Sequence, residues 1–488
     1  MVTGNLQIVH PVCGWGGKGG GVSFVWSFNS QSGRSSALGL KWRHTFNWQV
    51  LRAGNTATVI AGDGTETVFT RSGGPYVPPA GVFARLVRNG DHPWTRTHQG
   101  GLQRYFLSDG RLDRMVDWNG NTVPCGYTNG LRTRVTDASG RVLLLGDTSG
   151  RLTRVTDAEG RVWTLGCTGS GQVAWVDTPA LEGQVYRTQF GYSGSNVTSI
   201  TNRLGKRWSY SYGSGDVFAS MTDPDGQVWC LRYSSGGVSG FSRGGQTTAS
   251  AIGDPIPVPP VEPVESEGGA SDPTGVTVSY GMTASGELAM LTDGLGNRTI
   301  FNCDSQHNRV AMALPSGAVW YYTYDSGGNL LSVKDPLNRV TRYQYGSYDR
   351  VTLVEDALGN QTRYKYDSRG NLVQVTDALG NSTSYTVDSW GQVTAVTDAL
   401  GRVTQFGYDS SGNLVQVRDP LGNLTQYTYA CCRVLTRTDA LGRVTRYSYD
   451  GWGRLVGIDY PQSADVSLQY DAEGRLVVAV DGTGTRTF

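Results

Sequence analysis

Aspartates recur through the second half of this chain at a nearly fixed spacing. Those that open turns of the Asp-x-Leu-Gly type follow one another at steps of 21, 21, 21, 21, 20 and 20 residues: Asp335, Asp356, Asp377, Asp398, Asp419, Asp439 and Asp459. Tyrosines, and in one place a valine, keep the same interval: Tyr324, Tyr345, Tyr366, Val387, Tyr408, Tyr429, Tyr449 and Tyr470. A looser series with a step of 20 residues comes earlier: Asp117, Asp137, Asp157 and Asp177. Because a fixed period of this length indicates a repeat architecture, the chain is expected to fold as an array of equivalent units.

Each unit contains two turns and two strands. In the unit YDSRGNLVQVTDALGNSTSY, residues 366–385, both turns are Asp-x-x-Gly segments. The aspartate can hydrogen-bond the backbone that follows it, and glycine adopts the left-handed conformation that such a turn needs. The segments between the turns are therefore expected to be the strands of β-hairpins.

Residues between the turns alternate with a period of two. Thr341, Tyr343 and Tyr345 are expected on one face of their strand, and Arg342 and Gln344 on the other. β-branched and aromatic residues in such an alternation are typical of a half-buried strand. The longer strands of the units are therefore predicted to have one Thr/Tyr face and one polar face.

The shorter strands are expected to alternate in the same way, with Val373 and Val375 on one face and Leu372 and Gln374 on the other. No segment has the periodicity and caps of an amphipathic helix. The predicted fold class is therefore all-β, built from tandem hairpins. Such a sheet must cover its apolar face and hide its edges, and the spacing leaves a spiral, a closed sheet and a flat two-layer stack open.

Four regions follow from the pattern. Residues 1–110 are strand-rich but out of register with the repeats, and residues 111–250 hold the looser repeats. Residues 251–275 are rich in Pro and Glu and are expected to form a semi-rigid linker or an exposed loop. Residues 276–488 hold the regular repeats. Since the last unit stops before its next tyrosine, we expect the repeats to be truncated at the C-terminus.

The charge and hydropathy patterns exclude several classes of protein. The chain has 42 basic and 41 acidic residues without a block of one sign, so nucleic acid is not expected as a partner. No apolar run is long enough to span a membrane, and the first residues lack the pattern of a secretory signal peptide. Seven scattered cysteines offer no disulfide framework and leave the redox compartment open. The adjacent Cys431 and Cys432 are expected to fill strand positions.

The repeat motif YDxxGxLxxVxDxxGxxTxY, carried by residues 325–460, resembles that of bacterial RHS/YD-repeat proteins. The beginning of the chain is similar to the opening module of that family. The similar segments are the TGNL sequence at 3–6, the stretches 28–31 and 38–46, and Asp63-Gly64 followed by Phe69. The resemblance extends over nearly the whole chain and is least close at 180–275.

This resemblance implies a spiralling β-sheet that is part of a hollow shell. In polymorphic toxins and Tc-type toxins of the family, the shell encloses a C-terminal effector, which a self-cleavage motif near DPxG releases. The resemblance therefore implies a non-catalytic, secreted or cell-surface structural protein, the N-terminal part of a toxin shell, whose partner is an effector domain that these residues do not include. The alternative is a cell-surface or wall-associated repeat protein that binds carbohydrate or a partner cell. Secretion machinery is a further candidate partner.

No residue is predicted to be catalytic, cofactor-binding or metal-binding, and no cofactor is expected. The DPxG sequences at 223–226 and 419–422 are in ordinary turn register and are interpreted as turns. The GxGxxG at 14–19 precedes a strand rather than a helix, so it is interpreted as a loop. The five histidines, at 10, 44, 92, 98 and 307, lack the spacing of zinc ligands.

Glycan chemistry has weak support in the sequence. Five asparagines stand in Asn-x-Ser/Thr sequons, four of them generated by the GNxT of the repeat: Asn196, Asn297, Asn360, Asn381 and Asn423. Exposed Tyr and Trp side chains could stack on sugars, but such rings more often pack within a sheet.

Overall fold

The structure is a computed structural model that describes residues 6–15, 21–88, 94–234, 237–243, 266–271, 277–283, 287–293, 295–472 and 474–488. Within these ranges the chain is almost entirely β, without an α-helix, and two short 3₁₀ turns occur at Ser214–Asp216 and Ser347–Asp349. No helix in the described ranges is long and apolar enough to cross a membrane. The all-β prediction is confirmed.

The first eight strands form two three-stranded sheets, in the orders β1-β2-β5 and β6-β7-β8, and a two-stranded ribbon, β3-β4. Their bounds are β1 Gln7–Trp15, β2 Val22–Asn29, β3 Ser35–Ser36, β4 Gly39–Leu40, β5 Trp42–His44, β6 Gln49–Ala53, β7 Thr56–Ile60 and β8 Glu66–Thr70. Residues 1–5 and 16–20, with most of the TGNL and GxGxxG sequences, lie outside the described residues.

The next sixteen strands form one antiparallel sheet in which each strand pairs with its neighbours in sequence; we call it the first sheet. Its strands are β9 Ala84–Arg88, β10 Trp94–His98, β11 Gln103–Phe106, β12 Leu112–Val116, β13 Thr122–Thr128, β14 Leu131–Thr136, β15 Val142–Thr148, β16 Arg151–Thr156, β17 Val162–Cys167, β18 Val173–Asp177, β19 Arg187–Ser193, β20 Asn196–Thr201, β21 Arg207–Tyr212, β22 Phe218–Thr222, β23 Val228–Ser234 and β24 Gly237–Arg243.

The remaining 22 strands form a second antiparallel sheet with the same order, called the second sheet. Its strands are β25 Ser266–Ser271, β26 Thr277–Met282, β27 Leu288–Thr292, β28 Arg298–Cys303, β29 Arg309–Ala313, β30 Val319–Tyr324, β31 Leu330–Lys334, β32 Val340–Tyr345, β33 Val351–Glu355, β34 Gln361–Tyr366, β35 Leu372–Thr376, β36 Ser382–Val387, β37 Val393–Thr397, β38 Val403–Tyr408, β39 Leu414–Arg418, β40 Leu424–Ala430, β41 Arg433–Thr438, β42 Val444–Tyr449, β43 Leu455–Asp459, β44 Val466–Tyr470, β45 Leu476–Asp481 and β46 Gly484–Thr487. Within the region predicted as a linker, 266–271 is strand β25, and 251–265 and 272–275 lie outside the described residues.

The predicted alternation of the longer strands is confirmed. In β32, Arg342 and Gln344 are exposed, whereas Thr341, Tyr343 and Tyr345 are half-buried. The prediction for the shorter strand β35 is wrong at Leu372.

A β-bulge explains that error. Tyr364 pairs with Val375, but the register shifts after Lys365, so that Tyr366 faces Leu372. The extra residue in β35 brings Leu372 onto the same face as the tyrosines. The same shift recurs from unit to unit at the last tyrosine, for example at Tyr345, Tyr408 and Tyr449. A bulge increases the local twist of a strand pair, so its regular recurrence favours a coiled rather than a flat sheet.

The hydrophobic core lies between the N-terminal strands and the first sheet. Trp26 and Trp42 are completely buried, and the Trp42 ring packs edge-on against Phe190 of β19 at 5.0 Å. The Trp15 indole N–H donates to Asp137 Oδ2 at 2.8 Å, which ties β1 to a turn of the first sheet. In contrast, tyrosines of the second sheet such as Tyr343 are only half-buried. The opening module therefore covers the apolar face of the first sheet.

Candidate functional site at the seam between the sheets

Turns of the first sheet contact turns of the second sheet along a line that we call the seam. The first sheet contributes the turns 99–100, 117–121, 137–141, 157–161 and 178–186, and the second sheet contributes 327–329, 347–349, 367–371, 388–392, 409–413, 431–433 and 450–454. The paired residues are 228 to 291 positions apart in the sequence.

Both sheets run along the seam in the same direction. Asn119 meets Asn371, Ser139 meets Ser411, and Arg161 meets Trp452, so both numbers rise together. Successive windings of one spiral have this arrangement, whereas a ribbon folded back on itself would run in opposite directions. Since the sheets meet through their turns, the flat two-layer stack that the spacing had left open is not the arrangement observed.

Asparagines form the first part of the seam. The Asn371 amide donates to Asn119 Oδ1 at 2.7 Å, and the Asn121 amide donates to the Trp390 carbonyl at 3.0 Å. Nearer the start of the first sheet, the Gln99 amide donates to Asn329 Oδ1 at 2.9 Å. The turn aspartates fix the backbone of Asn121 and Asn371 through hydrogen bonds to their N–H groups. The side-chain amides of these asparagines also reach the neighbouring winding.

Trp452 forms a second group of contacts further along the seam. Its indole N–H donates to the Pro179 carbonyl at 2.8 Å, and its ring meets Tyr186 edge-on at 5.2 Å. The Trp452 carbonyl accepts from Arg161 Nη1 at 2.6 Å. The Arg203 guanidinium lies over the same indole at 5.1 Å. One side chain thus connects two turns of the first sheet to the second.

Many of the turns at the seam and on the opposite edge share one local structure, for which Asp356 is representative. Its Oδ1 accepts from the backbone N–H groups of Leu358 and Asn360 at 2.9 Å, and its Oδ2 accepts from Asn360 Nδ2 at 2.8 Å. Gly359 has φ +84°, which only glycine adopts without strain. The Asn360 side-chain hydrogen bond, followed by the backbone hydrogen bonds, lowers the pKa of Asp356 below its usual value. The carboxylate is therefore a structural anion.

Asp459 keeps the period of the turn aspartates but not their structure. It is the last residue of β43, and a longer connection follows, in which the Tyr460 backbone N–H donates to Asp465 Oδ1 at 3.1 Å. Spacing alone had assigned it to the same turn type, but Asp459 pairs with Arg446 as Thr376 pairs with Arg363, so it is a strand residue and the turn begins one position later, at Tyr460.

The two DPxG sequences have the common turn geometry. Asp419 Oδ1 accepts from the backbone N–H groups of Leu421 and Asn423 at 2.9 Å, and Oδ2 accepts from Asn423 Nδ2 at 2.8 Å. Asp223 Oδ1 accepts in the same way from Asp225 and Gln227. These hydrogen bonds agree with the interpretation of both DPxG sequences as ordinary turns.

The described histidines lie apart from one another. Burial lowers the pKa of His10 to about 4, and it lowers the pKa of the fully buried His44 well below the usual range. His98 contacts Arg104 and His307 contacts Glu287, while His92 lies outside the described residues. The half-buried His10 ring packs against Trp26, and the buried His44 ring packs against Phe24.

The sequon amides are engaged within the fold. Asn360 and Asn423 donate to the aspartates of their turns, and Asn297 and Asn381 do the same at 2.8 and 2.9 Å. Asn196 is buried, and its amide donates to Asp216 Oδ1 at 2.7 Å. Attachment of a glycan at these positions would replace one of the two hydrogens on an amide nitrogen that already donates within the fold.

One cluster at the seam was not anticipated from the sequence. Cys431 and Cys432 lie in the turn between β40 and β41 rather than in a strand, so the expected strand filling is wrong. They contact Glu159, in the turn after β16. The cluster could not be anticipated because Glu159 is more than 270 residues away and no local pattern marks the seam.

Family models match three parts of the chain. A model described as teneurin YD-shell matches residues 297–438, a model for the RHS repeat matches 433–465, and a domain of unknown function, DUF6531, matches 1–69. Residues 297–465 of this chain are therefore YD-shell and RHS repeats. The bulged hairpins and Asp turns are thus the structural form of its YD repeats.

Two curated relatives share part of this RHS/YD-repeat chain. The tRNA nuclease WapA of Bacillus subtilis (strain 168) and the tRNA(Glu)-specific nuclease WapA of Bacillus subtilis subsp. natto (strain BEST195) are each 25% identical over 128 residues. The match covers 26% of this chain and 6% of each relative. The chain therefore corresponds to a small share of their length.

Solved structures of Tc toxins are similar at a lower level. The TcdB2-TccC3 crystal structure is 14% identical, with a TM-score of 0.41 over 94% of this chain and 26% of that chain. The Tc holotoxin pore of Photorhabdus luminescens is 12% identical, with a TM-score of 0.41 over 95% of this chain and 30% of that chain. The winding of this chain is defined by its own strand pairing and by the contacts at its seam.

Proposed function

We propose that this RHS/YD-repeat chain is part of the wall of a secreted or cell-surface shell that encloses and delivers a C-terminal effector domain. In this proposal the chain itself is not an enzyme, and the effector belongs to the longer protein. The observation that carries the proposal is the seam, where the second sheet follows the first turn by turn in the same direction. A ribbon that winds on itself in this way makes a continuous wall.

The wall is continuous both along the ribbon and across the seam. Along the ribbon, each strand of the second sheet pairs with the next over 22 strands. Across the seam, amides of Asn371 and Asn121 and the indole of Trp452 bond to the other winding. Containment of a protein guest needs both kinds of closure, because a gap in either would give solvent and proteases access.

The proposal predicts that an effector is protected only while the seam is closed. The test uses the protein expressed at its natural length from its own gene, treated with a nonspecific protease and monitored by mass spectrometry of its C-terminal region. We expect that region to be resistant in the native protein. Trp452→Ala, which removes the bonds to Pro179 and Tyr186, should make it sensitive at lower protease concentrations.

Leu358→Ser is the matched control, because this side chain is 87% exposed on a turn of the same sheet that does not contribute to the seam. It should leave the protection unchanged. A C-terminal region that is digested as readily in the native protein as after the shell has been unfolded in urea would contradict the proposal.

Three aromatic side chains at the seam favour a second candidate function, binding of carbohydrate at a cell surface. Trp118, Tyr348 and Trp390 lie in turns, and their side chains are 38%, 40% and 41% exposed. Half-exposed rings can stack on sugars, and Asn119 and Asn371 provide polar groups beside them. A glycan array distinguishes the two functions. Carbohydrate binding predicts saturable binding of the native chain that is lost in Trp390→Ala, and the absence of such binding leaves the shell as the proposed role.

A further inference from the structure

Two adjacent cysteines of the second sheet meet a glutamate of the first sheet at the seam. The Cys432 thiol donates to Glu159 Oε1 at 3.5 Å, and the Sγ atoms of Cys431 and Cys432 are 3.0 Å apart. Within the described ranges, this is the one group of three or more His, Cys, Asp and Glu residues whose ligand atoms all lie within 4.8 Å of one another. Two thiols and a carboxylate are a donor set that suits Zn²⁺ and related cations.

The turn that carries the cysteines departs from the common turn of the repeat. Here Ala-Cys-Cys-Arg follows Tyr429, where units such as the one beginning at Tyr366 have Asp-x-x-Gly-Asn. Cys431 has φ +55°, a conformation in which a non-glycine residue is strained. Its carbonyl accepts from Asn413 Nδ2 at 2.9 Å, which fixes the turn against the preceding unit. A thiol therefore occupies a backbone position that glycine would adopt more easily.

The distances fit a metal ion better than a disulfide. A tetrahedral Zn²⁺ keeps two thiolate sulfurs about 3.8 Å apart and a sulfur and a carboxylate oxygen about 3.5 Å apart. Small side-chain rotations would bring the thiols and Glu159 to that spacing. Adjacent residues, in contrast, have Cα atoms about 3.8 Å apart, below the usual disulfide range of about 4.4 to 6.8 Å. The pair is therefore better suited to act as two ligands than to form an ordinary disulfide.

The charges around Glu159 are also compatible with a cation. Glu159 pairs with Arg433 and has Arg161 Nε 3.5 Å from its Oε2. A divalent cation that replaces the two thiol protons leaves the total charge of the cluster unchanged, so the two guanidinium groups meet no added positive charge. Burial, then the hydrogen bond with Cys431, raises the pKa of the Cys432 thiol to about 12, so that proton must leave when the metal binds.

We propose that Glu159, Cys431 and Cys432 bind a thiophilic divalent cation such as Zn²⁺ and that the ion joins the two windings across the seam. Binding forms two metal–thiolate bonds and one metal–carboxylate bond and releases the two thiol protons to solvent. This site goes beyond the proposed shell function, because it requires the seam but no effector.

The test is a titration of the reduced full chain with Cd²⁺, monitored by the ultraviolet absorbance of thiolate–cadmium bonds. We expect one equivalent of Cd²⁺ per chain to produce the absorbance and two protons to be released. The variants Cys431→Ser and Cys432→Ser should each lower the absorbance and weaken binding, and the double variant should abolish it. Glu159→Gln should raise the Kd at least about tenfold, since even outer-shell partners of a metal contribute that much. Cys167→Ser, which removes a half-buried thiol of β17 outside the cluster, is the control and should bind as the native chain does.

A second measurement tests the connection between the windings. Zn²⁺ should slow amide hydrogen exchange in the turn 157–161 of the native chain and should leave it unchanged in the double variant. This readout remains available if Glu159→Gln, which also loses the ion pair with Arg433, does not fold. The proposal is overturned by the absence of a thiolate absorbance, by its persistence in the Cys431→Ser/Cys432→Ser double variant, or by a Kd that Glu159→Gln leaves unchanged.

Discussion

The turn aspartates show how single residues hold this fold together. At Asp377 and Asp419, one carboxylate oxygen accepts two backbone N–H groups and the other accepts the amide of the asparagine four positions on. A protonated carboxyl group has a donor O–H in place of one acceptor, whereas the ionised group accepts at both oxygens. These hydrogen bonds therefore favour the ionised aspartate. The asparagine hydrogen bond is the main cause of the lowered pKa of Asp377 and Asp419. The stability of the repeats is therefore linked to the charge of these groups.

This linkage predicts a loss of stability in acid in two steps. Burial, then the charge of Arg203, lowers the pKa of His10 from 6.5 to about 4, so between these values the unfolded chain binds a proton that the folded chain does not. The turn aspartates behave in the same way below their ordinary pKa of 3.8. The free energy of unfolding should therefore fall as the pH falls, first below pH 6.5 and again below pH 3.8. Urea unfolding at pH 7, 5 and 3 measures both steps.

His10→Gln tests the contribution of His10. A glutamine cannot take up the proton, so this variant should have a smaller first step and an unchanged second step; part of the first step should remain because the pKa values of His44 and His98 are also lowered from 6.5. An unfolding free energy that is constant from pH 7 to pH 3, or that rises as the pH falls, would show that these groups are not linked to folding in the way their surroundings indicate.

At the scale of the element, a tyrosine at or next to the end of many longer strands joins one hairpin to the previous one. The Tyr366 hydroxyl donates to the carbonyl of Val351, which pairs with Tyr345 in the preceding unit, at 2.8 Å. Six further tyrosines of both sheets donate at 2.8 to 2.9 Å to the carbonyl fifteen residues earlier: Tyr212, Tyr345, Tyr408, Tyr429, Tyr449 and Tyr470. The Val351 carbonyl lies next to the bulge, where the register of the strand pair shifts. The tyrosine hydroxyl therefore provides a hydrogen bond to a backbone carbonyl at the point where regular strand pairing is interrupted.

Tyr366→Phe should therefore destabilise the chain. The variant keeps the ring and loses the hydroxyl, and the expected cost is about 0.5–1.5 kcal/mol, the usual net contribution of one hydrogen bond. Tyr364→Phe, two residues earlier on the same strand and face, is the matched control and should cost less than about 0.5 kcal/mol. Equilibrium urea unfolding of the two variants against the native chain gives the comparison. Equal effects of both substitutions would mean that the hydroxyl of Tyr366 has no special role.

The elements also show what could be predicted from the sequence. Period, turn type and the two faces of β32 were predictable because each depends on residues close together in the chain. The bulge at Leu372 was not, because Leu372 and Val373 are both apolar and either could occupy the tyrosine face. Glu159 and Cys432 carry no local pattern that relates one to the other, and only the way the ribbon winds brings them together.

At the scale of the whole molecule, stability and closure depend on different parts of the chain. The completely buried side chains belong mainly to the N-terminal strands and the first sheet, including Trp26, Phe106 and Leu143. The second sheet depends on strand pairing and on the seam, where polar side chains and Trp452 provide the contacts. A change at the seam should therefore open the wall locally without unfolding the core.

Trp452→Ala provides the test of that separation. The substitution removes the indole bond to Pro179 and the ring contact with Tyr186, so the turn at 178–186 loses its partner. Hydrogen exchange followed by mass spectrometry should show faster exchange in that turn and unchanged exchange in β2 and β15, which lie in the buried core. Leu441→Ala, at a side chain that is 77% exposed on a turn outside the seam, should leave both regions unchanged. Faster exchange throughout the chain in Trp452→Ala would mean instead that the seam and the core unfold as one cooperative unit, and the wall could then not open without loss of the fold.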